Sequence, residues 1–296
     1  MQEFSHAAEA YGVVNDNNEM TPAKKPAPTP PVPNTPTVSQ HPALDREIFL
    51  HGPITRDSAH AVILKMRVLA QQSKKPITLR ISSNGGSVYD GLAIFDTMRE
   101  LMNEGITIAT TAYGMAASMG SFLLSAGSPG HRTMLPNSRE MTHQPSRGSQ
   151  GGNQEYYAEV ANSLQETREL VEAHYLHFMG LDPEDKDAEV FLREYMSPDV
   201  YLNAYMAHRL GLIDNIAMQE DGKPSADIKD EFLRKSIEID IRQQKKEFDE
   251  IDTSRGSSHS RRFVKQLVEY RDAYLAKQSV APAQNATQQT PAPNNP

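Results

Sequence analysis

Residues 43–218 alternate between short apolar runs and longer amphipathic stretches. The apolar runs predict strands at 48–50, 77–82 and 106–112, and the amphipathic stretches predict helices at 57–72 and 88–102, with another beginning near residue 118. Strands that alternate with helices in this way are typical of an α/β core with short parallel strands. Residues 1–42 lack the pattern, are rich in Pro, Thr and Asn, and are predicted to be disordered.

A long amphipathic helix is predicted at 155–178. Its apolar side chains recur mostly at three- and four-residue steps: Tyr157, Val160, Leu164, Val171, Tyr175 and Phe178. Such a stripe usually packs on the helix's own domain.

Residues 219–296 are predicted to form an extension with two helices and a disordered tail from residue 279. The apolar positions of the first helix are Ile228, Phe232, Ile237, Ile241 and Phe248, and those of the second are Phe263, Val264, Leu267, Tyr270, Tyr274 and Leu275. A polar link, 253–260, separates them. This spacing outside the core domain motivates the hypothesis that the helices form an adaptor or scaffold contact.

Composition narrows the function classes. A net charge of −8 without a basic stripe in the core disfavours nucleic-acid binding. No stretch approaches the roughly 20 apolar residues needed to cross a membrane, and residues 1–20 lack the features of a signal peptide. The chain has no cysteine, which excludes disulfides and thiol chemistry and suits a reducing compartment. We therefore expect a soluble, cytoplasmic protein.

A serine lies at a tight turn within 114–120, between a predicted strand and a predicted helix. Ser118 is a candidate nucleophile because such a turn exposes the hydroxyl and the neighbouring backbone N–H groups. A serine needs a histidine to accept its proton and a carboxylate to orient that histidine. His143 follows a short predicted strand, and Asp199 precedes another. Gly86, in a Gly-Gly turn, offers a backbone N–H to an oxyanion.

Each signal alone has a structural interpretation. Ser118 could cap a helix, the Gly pair could form a plain turn, and His143 and Asp199 could be hydrogen-bonded structural residues. Ala116 also stands where the hydrolase elbow has its first glycine. Their joint occurrence in one compact stretch favours a catalytic set. His174 and His177 are three residues apart, but no third ligand is evident, so we expect neither a metal nor another cofactor.

The chain resembles the proteolytic subunit of the Clp protease, a self-compartmentalised serine peptidase. The matching segments follow the family's order from residue 46 to about 216: 46–52, 81–88, 93–98, 114–127, 135–139, 143–145, Ala207 and 211–214. The resemblance implies a crotonase-like/Clp protease fold with repeated βα units, a catalytic domain at 43–218 and a protruding handle helix at 155–178. It also implies that 146–152 is a strand that meets another ring.

Carried over by position, the resemblance makes Ser118 the nucleophile, His143 the general base and acid, and the N–H groups of Gly86 and Met119 the oxyanion hole. The third member depends on the alignment. Anchoring on residue 180 without gaps puts Arg193 there, whereas anchoring on 211–214 puts Asp199 there with a short insertion within 184–198. The second alignment matches more residues, and it predicts Asp199.

The implied partners are protein or peptide substrates, further copies of the chain in a double ring, and an AAA+ unfoldase. Thr78 and Arg80 replace the tyrosines common in the unfoldase-docking groove, so these residues do not support docking. Two alternatives remain: a non-catalytic ring subunit, which an arginine as the third member would favour, and a phage-type head-maturation peptidase, favoured by the extension. An acyl-CoA enzyme of the same broad fold ranks behind both, because its chemistry needs no Ser-His-Asp set.

Overall fold

The computed structural model describes residues 45–146, 152–197, 199–251 and 259–280. The described residues from 46 onward form one compact unit. Its strands are β1 (Glu47–His51), β2 (Ile77–Ser83), β3 (Ile108–Ala117), β4 (Arg132–Met134), β5 (Arg139–Thr142), β6 (Val200–Asn203), β7 (Asn215–Ile216), β8 (Gln219–Glu220) and β9 (Lys223–Pro224). Its helices are α1 (Arg56–Gln72), α2 (Val88–Asn103), α3 (Met119–Ser125), α4 (Gln154–Phe178), α5 (Lys186–Met196), α6 (Ala204–Arg209), α7 (Glu231–Asp249) and α8 (His259–Val280).

The core is a parallel sheet with strand order β1-β2-β3-β4-β7. The long strand β3 pairs with β4 along its first half and with β5 along its second half, both in parallel. The four-residue strand β6 then pairs antiparallel with β5. The predicted α/β core with parallel strands is confirmed, and β5 and β6 form a separate branch at the end of β3.

Local sequence explains where these elements begin and which face they bury. Thr55 and the serine at position 58 form a capping box that starts α1, and the helix buries Ala59, Val62, Met66 and Leu69 at three- and four-residue steps. Strand β2 alternates buried and half-buried side chains along its length, so its apolar residues face the core. The apolar spacing in the sequence therefore specifies whether each segment is a helix or a strand and which of its faces is buried.

Two parts of the fold differ from the sequence expectation. Strand β3 continues five residues past the predicted end, through Gly114 at φ 77°, to Ala117. Residues 184–198, within which a short insertion was expected, contain a full helix, α5, capped by Asp185, whose side chain accepts hydrogen bonds from two backbone N–H groups. The second half of β3 carries the pairing with β5, so the extra length of β3 brings β5 into the sheet.

Helix α4 is buried only near its carboxyl end. Its buried residues are Val171, Glu172, Tyr175 and Leu176, while Tyr157 is about half exposed. Residues 154–170 therefore project away from the core as a handle. The strand predicted at 146–152 lies, except for its two ends, outside the described residues, as do residues 1–42 and 281–296.

The two predicted C-terminal helices are present as α7 and α8. Ile237 and Phe248 of α7 are buried, as are Val264, Leu267 and Val268 of α8. Most of the apolar positions that suggested an adaptor contact are thus used inside the chain, although Phe232 is 85% exposed. Among the described helices, none is long and apolar enough to span a membrane.

Candidate active site

Ser118 lies at the turn between β3 and α3. Its backbone adopts φ 56° and ψ −124°, a conformation that costs about 1–3 kcal/mol for a residue other than glycine. Its N–H donates to the carbonyl of Met141 on β5 at 2.7 Å. A strained strand-to-helix turn of this kind is how α/β-hydrolases expose a nucleophilic serine.

His143 follows β5 directly. Because β5 runs parallel to the end of β3, the residues after the two strands meet at the same edge of the sheet. His143 Nε2 lies 2.8 Å from Ser118 Oγ, within hydrogen-bond distance. The two residues that the sequence named as nucleophile and base are therefore in contact.

Asp199 precedes β6, and the antiparallel register pairs Thr142 with Val200, so Asp199 lies opposite His143. Asp199 Oδ1 is 3.7 Å from His143 Nδ1, close enough for an ion pair but too long for a hydrogen bond, and the Asp199 side chain is 60% exposed. Arg193 lies on α5, where its guanidinium pairs with Glu189 and, at 3.6 Å, with Glu172. The structure thus places Asp199 beside His143 and engages Arg193 elsewhere.

The Gly-Gly turn packs against the serine turn. A Cβ atom on Gly85 would lie 2.6 Å from Ser118 Cβ and 3.1 Å from the backbone N of Met119. Gly86, at φ 153°, forms a parallel bridge with Ile54 in which Ile54 N–H donates to Gly85 and Ser87 N–H donates to Ile54. That bridge does not use the Gly86 N–H. Only glycine fits at these two positions, since Cβ atoms would meet backbone there.

A buried polar cluster next to the site was missed by the sequence analysis. Glu140 on β5 is fully buried and accepts a 2.5 Å hydrogen bond from Ser121 Oγ on α3, and Ser121 lies 3.0 Å from the hydroxyl of Tyr175 on α4. Burial raises the pKa of Glu140 to about 7, against the lowering effects of Ser121 and Arg132. Strand alternation was the available signal, because it places Glu140 on the inward face.

Among the described residues, no group of three or more His, Asp or Glu side chains is arranged to hold a metal ion. His174 instead packs edge-to-face on Phe95 and Phe122 and stacks on Phe178. Burial lowers the pKa of His174, and the nearby Arg99 and His177 lower it further. His174 thus has a packing role among aromatic rings.

The chain is similar to proteins of a known family. The family model described as Clp protease matches residues 36–220. The ATP-dependent Clp protease proteolytic subunit 1 of Streptomyces coelicolor is 37% identical over 181 residues, which cover 61% of this chain and 78% of that protein. The chain therefore belongs to the Clp protease family and is a protease.

Proposed function

We propose that the chain is a serine endopeptidase with Ser118 as nucleophile, His143 as general base and acid, and Asp199 as the carboxylate that orients the imidazole. The observation that carries this proposal is the 2.8 Å contact between His143 Nε2 and Ser118 Oγ at the ends of two neighbouring parallel strands. The strained Ser118 backbone supports the same role.

The reaction is acyl transfer to water. Ser118 Oγ attacks the carbonyl carbon of a peptide bond while His143 Nε2 takes the hydroxyl proton, and the imidazolium then gives that proton to the departing amine. Water then attacks the carbonyl carbon of the resulting ester while His143 Nε2 accepts a proton from the water. As the ester bond breaks, the imidazolium returns that proton to Ser118 Oγ, which releases the acid product and free Ser118. Asp199 favours the imidazole tautomer whose Nε2 can accept the proton.

The backbone N–H groups of Gly86 and Met119 form the oxyanion hole in this proposal. The tight approach of Gly85 to Ser118 and to the N of Met119 supports it, because it holds the Gly-Gly turn at the nucleophile. Losing one donor of such a hole typically raises the barrier by roughly 2.7–4 kcal/mol.

Assembly into a double ring is part of the proposal. The projecting part of α4 supports it, because none of residues 154–170 is buried in the single chain. In the single chain Asp199 is largely exposed and lies 3.7 Å from His143, so we propose that assembly shortens this distance. The substrates are unfolded polypeptides or peptides that enter the enclosed chamber.

An AAA+ unfoldase as feeding partner and a cytoplasmic location follow from the family and remain proposals. On β2, where Arg80 replaces a groove tyrosine, its guanidinium binds the Glu47 carboxylate at 2.6 and 2.8 Å. An unfoldase that docks here must accommodate an ion pair in place of an aromatic surface.

Hydrolysis of a fluorogenic peptide by the assembled chain tests the proposal. Ser118→Ala should abolish hydrolysis while leaving the sedimentation behaviour of the oligomer unchanged. Residual hydrolysis by the assembled Ser118→Ala variant near the wild-type rate would contradict the role of Ser118.

A further inference from the structure

Helix α7 contacts β5 and β6, the strands next to His143 and Asp199, although it lies beyond the residues that the family model matches. The central contact is Asn203, the last residue of β6, which is 2% exposed. Its side-chain amide donates to Glu247 Oε2 at 3.0 Å and to the Gln244 carbonyl at 3.2 Å. Its amide oxygen accepts from the N–H of Met206, which caps α6.

Glu247 also contacts the partner strand. Its Oε1 lies 3.4 Å from the guanidinium of Arg139, the first residue of β5. Arg139 and Asn203 are directly paired in the β5–β6 register. One carboxylate of α7 therefore bridges the two residues at one end of this strand pair.

Further contacts join α7 to the residues before β5 and after β6. Gln244 is buried and donates its amide to the Pro136 carbonyl, just before β5, at 2.9 Å. The Phe248 ring packs edge-to-face on Tyr205 and carries the Arg209 guanidinium over its face. The helix is thus attached through hydrogen bonds, an ion pair and apolar packing.

The other end of the strand pair is the catalytic end. Residues 139–142 of β5 lead directly to His143, and residues 203–200 of β6 lead back to Asp199. Within the described sheet β6 pairs with β5 alone and is only four residues long, so it receives little support from sheet hydrogen bonds. A one-residue slip would also turn its side chains to the opposite face.

We infer that α7 is a brace that fixes the β5–β6 register, with Glu247 as a positioning residue that keeps Asp199 opposite His143. The inference rests on the proposed function for its catalytic consequence. The C-terminal extension then contributes to catalysis. Its helix α7 fixes one end of the β5–β6 pair, and the proposed base and orienting carboxylate adjoin the other end. Small displacements of catalytic groups carry large rate penalties, so a loosened brace lowers turnover rather than substrate binding.

Glu247→Ala, Glu247→Gln and Lys245→Ala test the brace in the full-length assembled protein. Glu247→Ala removes both side-chain bonds and should lower kcat on a fluorogenic peptide by on the order of tenfold with KM nearly unchanged. Glu247→Gln keeps an amide oxygen that can accept from Asn203 and should restore most of kcat. Lys245, an exposed residue of the same helix, is the control whose replacement should change neither constant.

Amide hydrogen exchange provides a readout that does not need activity. In a Ser118→Ala background, Glu247→Ala should accelerate exchange in residues 139–142 and 200–203, and Lys245→Ala should not. If the wild-type chain proves inactive, the proposed function fails while this comparison still tests the brace. Should Glu247→Ala not assemble, Arg139→Ala breaks the same bridge from the strand side. Unchanged kcat and unchanged exchange in the variant that assembles would overturn the inference.

Discussion

At the residue scale, the position of Ser118 depends on the glycine beside it. Gly85 has φ 89°, and any Cβ there would lie 2.6 Å from Ser118 Cβ and 2.7 Å from the carbonyl of Ala117. A side chain at this position must therefore displace the serine turn, the Gly-Gly turn or both. The Gly-Gly turn thus restricts where Ser118 can lie, in addition to its proposed oxyanion role.

Gly85→Ala should reduce peptide hydrolysis by about 10²-fold, since displacement of a catalytic group by about 1 Å has effects of that size. Gly105→Ala is a matched control because Gly105 also has positive φ, 81°, but a Cβ atom added there would have no other atom within 4 Å. It should cost about 1 kcal/mol of stability and leave activity unchanged. Equal activity losses in the two variants, measured on folded protein, would show that backbone strain alone is responsible.

Glu140 makes stability depend on pH. Its folded-state pKa of about 7 lies above the ordinary value of 4.5, so the folded chain holds a proton that the unfolded chain releases. The stabilising effect of this proton is fully present below pH 4.5 and is lost as pH rises to about 7, a change of about 3 kcal/mol.

Glu140→Gln should remove this dependence and raise the melting temperature relative to wild type at pH 8. Thermal unfolding at fixed protein concentration between pH 5 and pH 8 checks it, with the exposed Glu159→Gln as control. A wild-type pH slope that persists in Glu140→Gln would refute the assignment to this carboxyl group.

At the element scale, the spacing of apolar residues predicted most elements of the core. It did not predict features that depend on how strands pair with one another. Helices α1, α2 and α4 begin and end within about one residue of the prediction, because their apolar spacing is regular. Strand β3 was cut short at a glycine that the sheet accommodates at positive φ. Glu140 was missed because a charged residue is seldom buried, although strand alternation places it on the inward face. Helix α5 was missed because residues 184–198 were considered only as the place of a short insertion.

Strand pairing also bears on the proposed third member of the triad. The β5–β6 register sets Asp199 against His143, while Arg193 on α5 pairs with the buried Glu172. Sequence motifs alone suggested Ser118, His143 and Asp199, but the choice of Asp199 over Arg193 needed an alignment with a short insertion within 184–198.

Asp199→Ala should lower kcat by on the order of 10³- to 10⁴-fold, as loss of the orienting carboxylate does in such triads. Arg193→Ala should instead reduce stability, because it takes a cation from the 2% exposed Glu172 side chain, and should change kcat little. Steady-state kinetics and thermal unfolding of both variants separate the effects. A larger loss of kcat at Arg193 than at Asp199 would favour the rejected alignment.

At the scale of the whole molecule, the projecting half of α4 carries the contact that we propose between rings. Leu164 lies on the apolar side of that half and is only partly buried. Leu164→Glu should therefore leave the fold intact but separate the rings, lowering the sedimentation coefficient and the hydrolysis rate together. Asn162→Glu, on the exposed opposite side, is the control. An unchanged sedimentation coefficient for Leu164→Glu would exclude this side of α4 as the contact between rings.

Activation of Ser118 by His143 for attack on a carbonyl is the central claim. The most direct test is the intact mass of the assembled chain after reaction with a fluorophosphonate, compared with Ser118→Ala and His143→Ala. We expect a single adduct on the wild-type chain, none on Ser118→Ala and a strongly slowed reaction on His143→Ala. An unmodified wild-type oligomer, or an adduct that persists in Ser118→Ala, would contradict the claim.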